Sequence, residues 1–148
     1  MMAVIVTYLT FSGNCRQAMT FYQQCLGGQL KFQTVAESPL SEEMSGPMKA
    51  CIVHATLSNG VMKLMGSDIV PESGLVKGNS VSLSLTCTST GELKRLYRKL
   101  SSGGTASHPP QETHWGALFG ELTDKFGNHW LLSCAHRAGS AAVNHHYG

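Results

Sequence analysis

The feature that most constrains this chain is that its pattern of polarity runs twice. Val4–Phe11 alternates, with Ile5, Leu9 and Phe11 on one side and Val6, Tyr8 and Thr10 on the other, as a half-buried strand requires. Ser12-Gly13-Asn14 then offers a turn and a helix N-cap. Ala18, Phe21, Tyr22 and Cys25 recur at helical spacing, and Gly27-Gly28 closes the helix. Gln29–Ala36 reads as a second strand, and Glu37–Pro47 as a loop or short helical excursion. Lys49–Leu57 and Val61–Ser67 form a hairpin about Ser58-Asn59-Gly60. After a Pro- and Gly-bearing stretch to Asn79 the order begins again. Val81, Leu83 and Leu85 alternate with Ser80, Ser82, Ser84 and Thr86. A helix over Thr90–Leu100 is closed by Gly103-Gly104, and extended segments follow at Thr105–His108, Trp115–Thr123 and Asn128–Cys134. Tyr22 and Tyr97, half a chain apart, hold like places in the two helices. The pattern predicts an α+β chain of paired βαβββ modules: a first module over 1–68, a linker over 69–79, a second module over 80–135 and a flexible tail over 136–148, together one structural domain.

Composition narrows the function classes. Apolar residues make up 42% and charged residues 14% of the 148 residues, against roughly 25% charged in an average soluble domain. That balance suits a globular chain with an uncharged surface or a self-association face. The net charge of +2 is spread along the chain, with clustering only at Lys94–Lys99, so neither nucleic acid nor a membrane surface is an expected partner. Met1–Phe11 lacks the basic start of a secretion signal, and no apolar run reaches bilayer length. The five cysteines (15, 25, 51, 87 and 134) contain no C-x-x-C pair, and read as reduced, buried thiols of a cytoplasmic protein.

Several strings are specific enough to carry a resemblance. They are Tyr8-Leu9-x-Phe11-x-Gly13-Asn14-Cys15, Phe21-Tyr22 with Leu26-Gly27-Gly28, His54-Ala55, and Leu64-Met65-x-Ser67-Asp68. Near the end come Glu112-Thr113-x-Trp115-Gly116-Ala117, Phe119-Gly120 and Thr123-Asp124-Lys125-Phe126-Gly127-x-x-Trp130. Across residues 4 to 134 the chain resembles PhnB-like proteins of the vicinal oxygen chelate superfamily, with glyoxalase I, bleomycin-resistance proteins and extradiol dioxygenases. The resemblance implies curved mixed sheets around a cavity, a homodimer, and in many relatives one divalent metal. That metal is held by His, Glu or Gln from the first and fourth strand of each module and polarises two neighbouring substrate oxygens. At those places this sequence offers Tyr8 (or Thr7), Lys63-Leu64-Met65, Ser80 or Ser82, and Leu131, none a good divalent-metal ligand. No cofactor is therefore expected. Some relatives carry a ubiquinone-biosynthesis methyltransferase label, but the Gly-rich strand-to-helix turn of an adenosyl-binding site is missing here.

Alternation places a second set of side chains on the sheet faces turned from the helices: Tyr8 and Thr10; Ile52, His54 and Thr56; Ser80, Ser82, Ser84 and Thr86; Trp115, Phe119 and Glu121; and His129, Leu131 and Ser133. From these, Tyr8, His54, Ser82, Ser84, Trp115, Phe119 and Leu131 are the expected substrate contacts, and His54 with Glu121 the candidate acid/base pair. Each has a plainer reading: His54 as a satisfied structural histidine, Trp115 as part of a dimer core, Glu121 as one half of an edge ion pair, and the serines as a solvated sheet face. A site assembled from His54, His114, His129 and Glu121 would suit a transition metal, yet His114 adjoins Pro109-Pro110 and His129 a turn. His145 and His146 belong to the tail. Three functions follow: metal-free binding of a small, partly aromatic or hydrophobic molecule; a lyase, isomerase or dioxygenase using a rearranged metal site or His54/Glu121 acid-base chemistry; and a structural or partner-binding module.

Overall fold

The structure, a computed structural model, describes residues 2–38 and 50–135. The part of the Glu37–Pro47 loop beyond Ser38 lies outside those residues, as does the tail with His145 and His146. The order is β1 (Thr7–Thr10), α1 (Cys15–Leu26), β2 (Gln29–Thr34), β3 (Ile52–Asn59), β4 (Met62–Ser67), then β5 (Leu83–Thr86), α2 (Thr90–Ser101), β6 (Thr105–Glu112), β7 (Ala117–Thr123) and β8 (His129–Ala135). A first compact unit runs to Val76 and a second begins at Lys77. Among the described residues each holds one α-helix on one mixed four-stranded sheet, ordered β1-β4-β3-β2 in the first and β5-β8-β7-β6 in the second. The twofold βαβββ reading and the α+β class are thus what the chain adopts. In both units the first strand pairs parallel with the last, and the other pairings are antiparallel.

The first unit is organised around one carboxylate. Asp68, buried just after β4, accepts hydrogen bonds from the backbone N–H of Gly13 (3.0 Å) and Cys15 (2.9 Å) through Oδ1, and from Ile52 N–H (2.9 Å) through Oδ2. The Asn14 side chain makes no cap bond. The start of α1 is therefore capped from the far end of the module, because an anion there meets both unpaired N–H groups and the positive end of the helix. Above this clamp α1 buries Cys15, Ala18, Met19, Phe21, Tyr22 and Cys25. In the second unit the cap is local: Ser89 Oγ accepts from Glu92 N–H (3.1 Å), while Glu92 Oε1 accepts from Thr88 N–H (2.9 Å) and Oγ1 (3.1 Å). That unit's buried carboxylate, Asp124, shapes the β7–β8 turn instead. It accepts from Phe126 N–H, Asn128 N–H and the Trp130 indole, all within 3.0 Å.

The two Gly-Gly pairs have a further reason beyond ending helices. A Cβ on Gly28 would strike the Ser58 carbonyl oxygen, and one on Gly104 the Thr123 carbonyl oxygen. In each unit the chain leaving the helix passes against the strand edge too closely for any side chain.

Four details depart from the sequence reading. Strands β1 and β5 are shorter than Val4–Phe11 and Ser80–Thr86, being paired only over four residues at a sheet edge. Pro109 and Pro110 lie inside β6, which extends to Glu112; an edge strand needs no outward N–H, so prolines are tolerated there. Trp115 precedes β7 and sits in the turn to it. Ile52 is buried together with Ala55 and Leu57, because β3 carries a bulge where Gln33 pairs with His54 and Thr34 with Ile52, which shifts the alternation by one.

Two predictions follow from the core. Asp68→Asn places an N–H donor among three N–H donors, and we expect the first unit to lose about 3 kcal/mol in urea unfolding; a loss below about 0.5 kcal/mol would rule out the clamp. Burial pushes the Cys15 and Cys87 thiols up to about 12, with the nearby Asp68 and Glu92 carboxylates adding to it. A thiol pKa raised by folding contributes stability that is present below about pH 9 and lost as pH rises toward 12. Stability should therefore decline over that window, and less steeply in a Cys15→Ser, Cys87→Ser double variant, as read by unfolding at stepped pH.

Candidate functional site

Cross-strand register decides which of the expected side chains share a face. In the second unit Ser84 pairs with Leu131, Leu131 with Glu121, and Glu121 with His108, so one row crosses all four strands. The next row is Thr86, Ser133, Phe119 and Gln111. Leu118, Leu122, Trp130, Leu132 and Cys134 occupy the alternate positions and are buried on the side covered by α2. The helix adds a fixed point: the Tyr97 hydroxyl donates to the Glu121 carbonyl oxygen at 2.7 Å, holding the backbone of that residue. Burial pushes the Tyr97 phenol above its ordinary range.

Glu121 has a histidine partner that sequence reading did not single out. His108 Nδ1 lies 3.0 Å from Glu121 Oε2, with the two side chains 72% and 39% exposed. Counting back from the β6–β7 turn in regular register would set Pro109 opposite Glu121. Bulges on β6, between Thr105 and His108 and again between His108 and Gln111, put His108 there instead. The sequence reading ended this strand at His108, before the proline pair, and alternation could not have supplied the slip. His129 lies on the same face at its margin and shares a hydrogen bond of 2.9 Å with Thr123 Oγ1. Ser82 is exposed just before β5. Trp115 stands in the turn closed by Thr113 and Ala117 with Gly116 at φ +85°, its ring edge-on to His114 at 4.6 Å between centroids.

In the first unit Tyr8 pairs with Met65, Met65 with Thr56, and Thr56 with Lys31. His54 stands on the same face, two residues from Thr56. Its Nε2 is 3.1 Å from Thr56 Oγ1, and its ring centroid 6.3 Å from that of Tyr8. Tyr8 is half exposed. His54 and Glu121 thus belong to different units, and the imidazole that meets Glu121 within its own unit is His108. A groove of about 380 Å³ lies elsewhere on the first unit, between Ile5–Thr7 and the Gly60–Lys63 side of the hairpin, and includes none of the expected site residues.

Of the positions that would carry a superfamily metal, Tyr8 pairs with Met65, Ser80 and Ser82 precede β5, and Leu131 lies opposite Ser84. A phenol, a thioether, an aliphatic hydroxyl and a hydrocarbon side chain do not make the imidazole and carboxylate set a catalytic divalent ion needs. The donor chemistry does not fit the group.

Comparison with known proteins agrees with the fold. The family model for the glyoxalase/bleomycin resistance protein/dioxygenase superfamily matches residues 4–132. Protein YjdN of Escherichia coli K12 is 33% identical over 135 residues, covering 85% of this chain and 91% of YjdN. The crystal structure of PA1353 from Pseudomonas aeruginosa superposes with a TM-score of 0.81 at 37% identity, covering 92% of this chain and all of that one. The PhnB protein from Bacillus cereus does so with 0.70 at 25% identity, covering 90% and 100%.

An exposed ion pair contributes little to folding. We therefore expect His108→Ala and Glu121→Gln each to change unfolding free energy by less than about 1 kcal/mol. A loss several times larger would make the pair structural and remove it from the site.

Proposed function

The chain belongs to the glyoxalase/bleomycin resistance protein/dioxygenase superfamily, and from that premise we propose that it binds a small, partly aromatic molecule without the superfamily metal. The observation that carries this reading is the row Ser84–Leu131–Glu121–His108 beside Phe119, which sets apolar surface among hydroxyls and one acid on a single half-exposed face. Pockets for small molecules combine such a surface with a few directed polar groups. Ser84, Phe119, Glu121 and Leu131 are the proposed contacts in the second unit, Tyr8 and His54 in the first, with Ser82 and Trp115 at the margins. The proposed assembly is a homodimer, supported by the edge positions of β1 and β5 and by exposed apolar residues such as Ile5 near one of them.

A second reading, metal-independent acid/base catalysis, is favoured by the His108–Glu121 contact. Both groups can move protons, and a carboxylate orients the imidazole it touches. It requires turnover that falls about 100-fold or more in either Glu121→Gln or His108→Ala.

Neutral aromatic fragments such as benzyl alcohol and 2-naphthol, titrated into the chelator-dialysed chain by NMR, should bind saturably. Their shifts should centre on β7 and β8, and Phe119→Ala should weaken binding several-fold. Binding that appears only after a divalent metal is added, or that Phe119→Ala and Leu131→Ala leave unchanged, would sink the proposal. Sedimentation of the same sample should give the mass of two chains.

A further inference from the structure

Resting on that binding reading and deepening it, we infer that the second unit's face selects an aromatic molecule carrying a protonated amine. The four strands of its sheet contain no Lys or Arg, and their carboxylates are Glu112 and Glu121. Glu112 pairs with Leu118, which is buried toward the helix, whereas Glu121 pairs with Leu131 on the opposite face. The basic side chains of this unit's helix, Lys94, Arg95, Arg98 and Lys99, belong to α2, which packs on the other side of the sheet. Glu121 is therefore the formal charge that the strands present on this face, apart from whatever His108 and His129 carry.

The surroundings of that carboxylate complete the selection. A carboxylate accepts at about four lone-pair sites, so the contact of His108 with Oε2 leaves capacity for an ammonium donor. Leu131 lies directly across from Glu121, and Phe119 lies two residues away on the same face. An aromatic ring one or two bonds from an ammonium group can cover Phe119 and Leu131 while the nitrogen reaches Glu121. The Phe119 ring face adds its own attraction for a cation. An anionic aromatic molecule would meet Glu121 with like charge and find no Lys or Arg on these strands to offset it. The first unit differs in sign: its strands carry Lys31 and Lys63 and no carboxylate.

The test uses three matched probes, benzylamine, benzyl alcohol and phenylacetate, titrated into the full chain by NMR at about pH 8, above the range in which an imidazole ordinarily carries charge. Benzylamine should bind about tenfold more tightly than benzyl alcohol, and phenylacetate weakest, with shifts at β7 and β8. Glu121→Gln should abolish the preference for the amine, so that benzylamine binds no more tightly than benzyl alcohol does to the same variant. Equal binding of amine and alcohol, an amine preference that survives Glu121→Gln, or a preference for phenylacetate centred on Lys31 and Lys63 would overturn the inference while leaving small-molecule binding intact. Failure of all three probes to bind would overturn both.

Discussion

The buried carboxylate of Asp68 is the contact on which the first unit depends. Three separate stretches of backbone meet it: the turn before α1, the first residue of that helix and the start of β3. An anion removed from water is tolerated only where donors replace its hydration, and these three N–H groups supply them. The contact thereby joins the end of the βαβββ module to its beginning. It also sets the parallel seam: Phe11 N–H donates to the Ser67 carbonyl oxygen at 2.8 Å, one step before Asp68. The second unit has the same seam, where Cys87 N–H donates to the Ser133 carbonyl oxygen at 2.8 Å, but caps its helix with Ser89 and Glu92. One topology is thus held by a long-range cap in one half and a local cap in the other.

The helices take one face of each sheet, and chemistry is left for the other. Alternation makes that division sharp in β7 and β8, where no bulge interrupts the register from Ala117 opposite Ala135 to Thr123 opposite His129. It is blurred in β3 and β6, where bulges move Ile52 into the core and His108 opposite Glu121. The blurred positions bear on the proposed site, since a bulge re-aims a side chain without changing the strand order. The superfamily architecture is retained, while Tyr8, Met65, Ser80, Ser82 and Leu131, the residues this sequence offers where relatives hold a metal, lack imidazole and carboxylate donors. What remains on the second face is an acid, an imidazole, hydroxyls and two apolar side chains, a set suited to holding a small molecule and to moving protons.

Much of this was legible in the residues alone. The repeat, both helices, the Gly-Gly closures and the succession of elements in each βαβββ module follow from local periodicity and turn chemistry, which act over a few residues. The face shared by Ser84, Phe119, Glu121 and Leu131 follows too, because strand alternation has a fixed period of two. The unsuitability of Tyr8, Met65 and Leu131 as metal ligands is a matter of side-chain chemistry and needs no coordinates once the strands are aligned. Tertiary structure alone decided that Asp68, placed by sequence at the edge of a linker, closes the first unit, and that Pro109-Pro110 continues a strand instead of breaking it. It also gave Glu121 the imidazole of His108. Those outcomes depend on groups far apart in sequence, and on bulges whose cost is offset by pairing with a neighbouring strand; no local pattern encodes either.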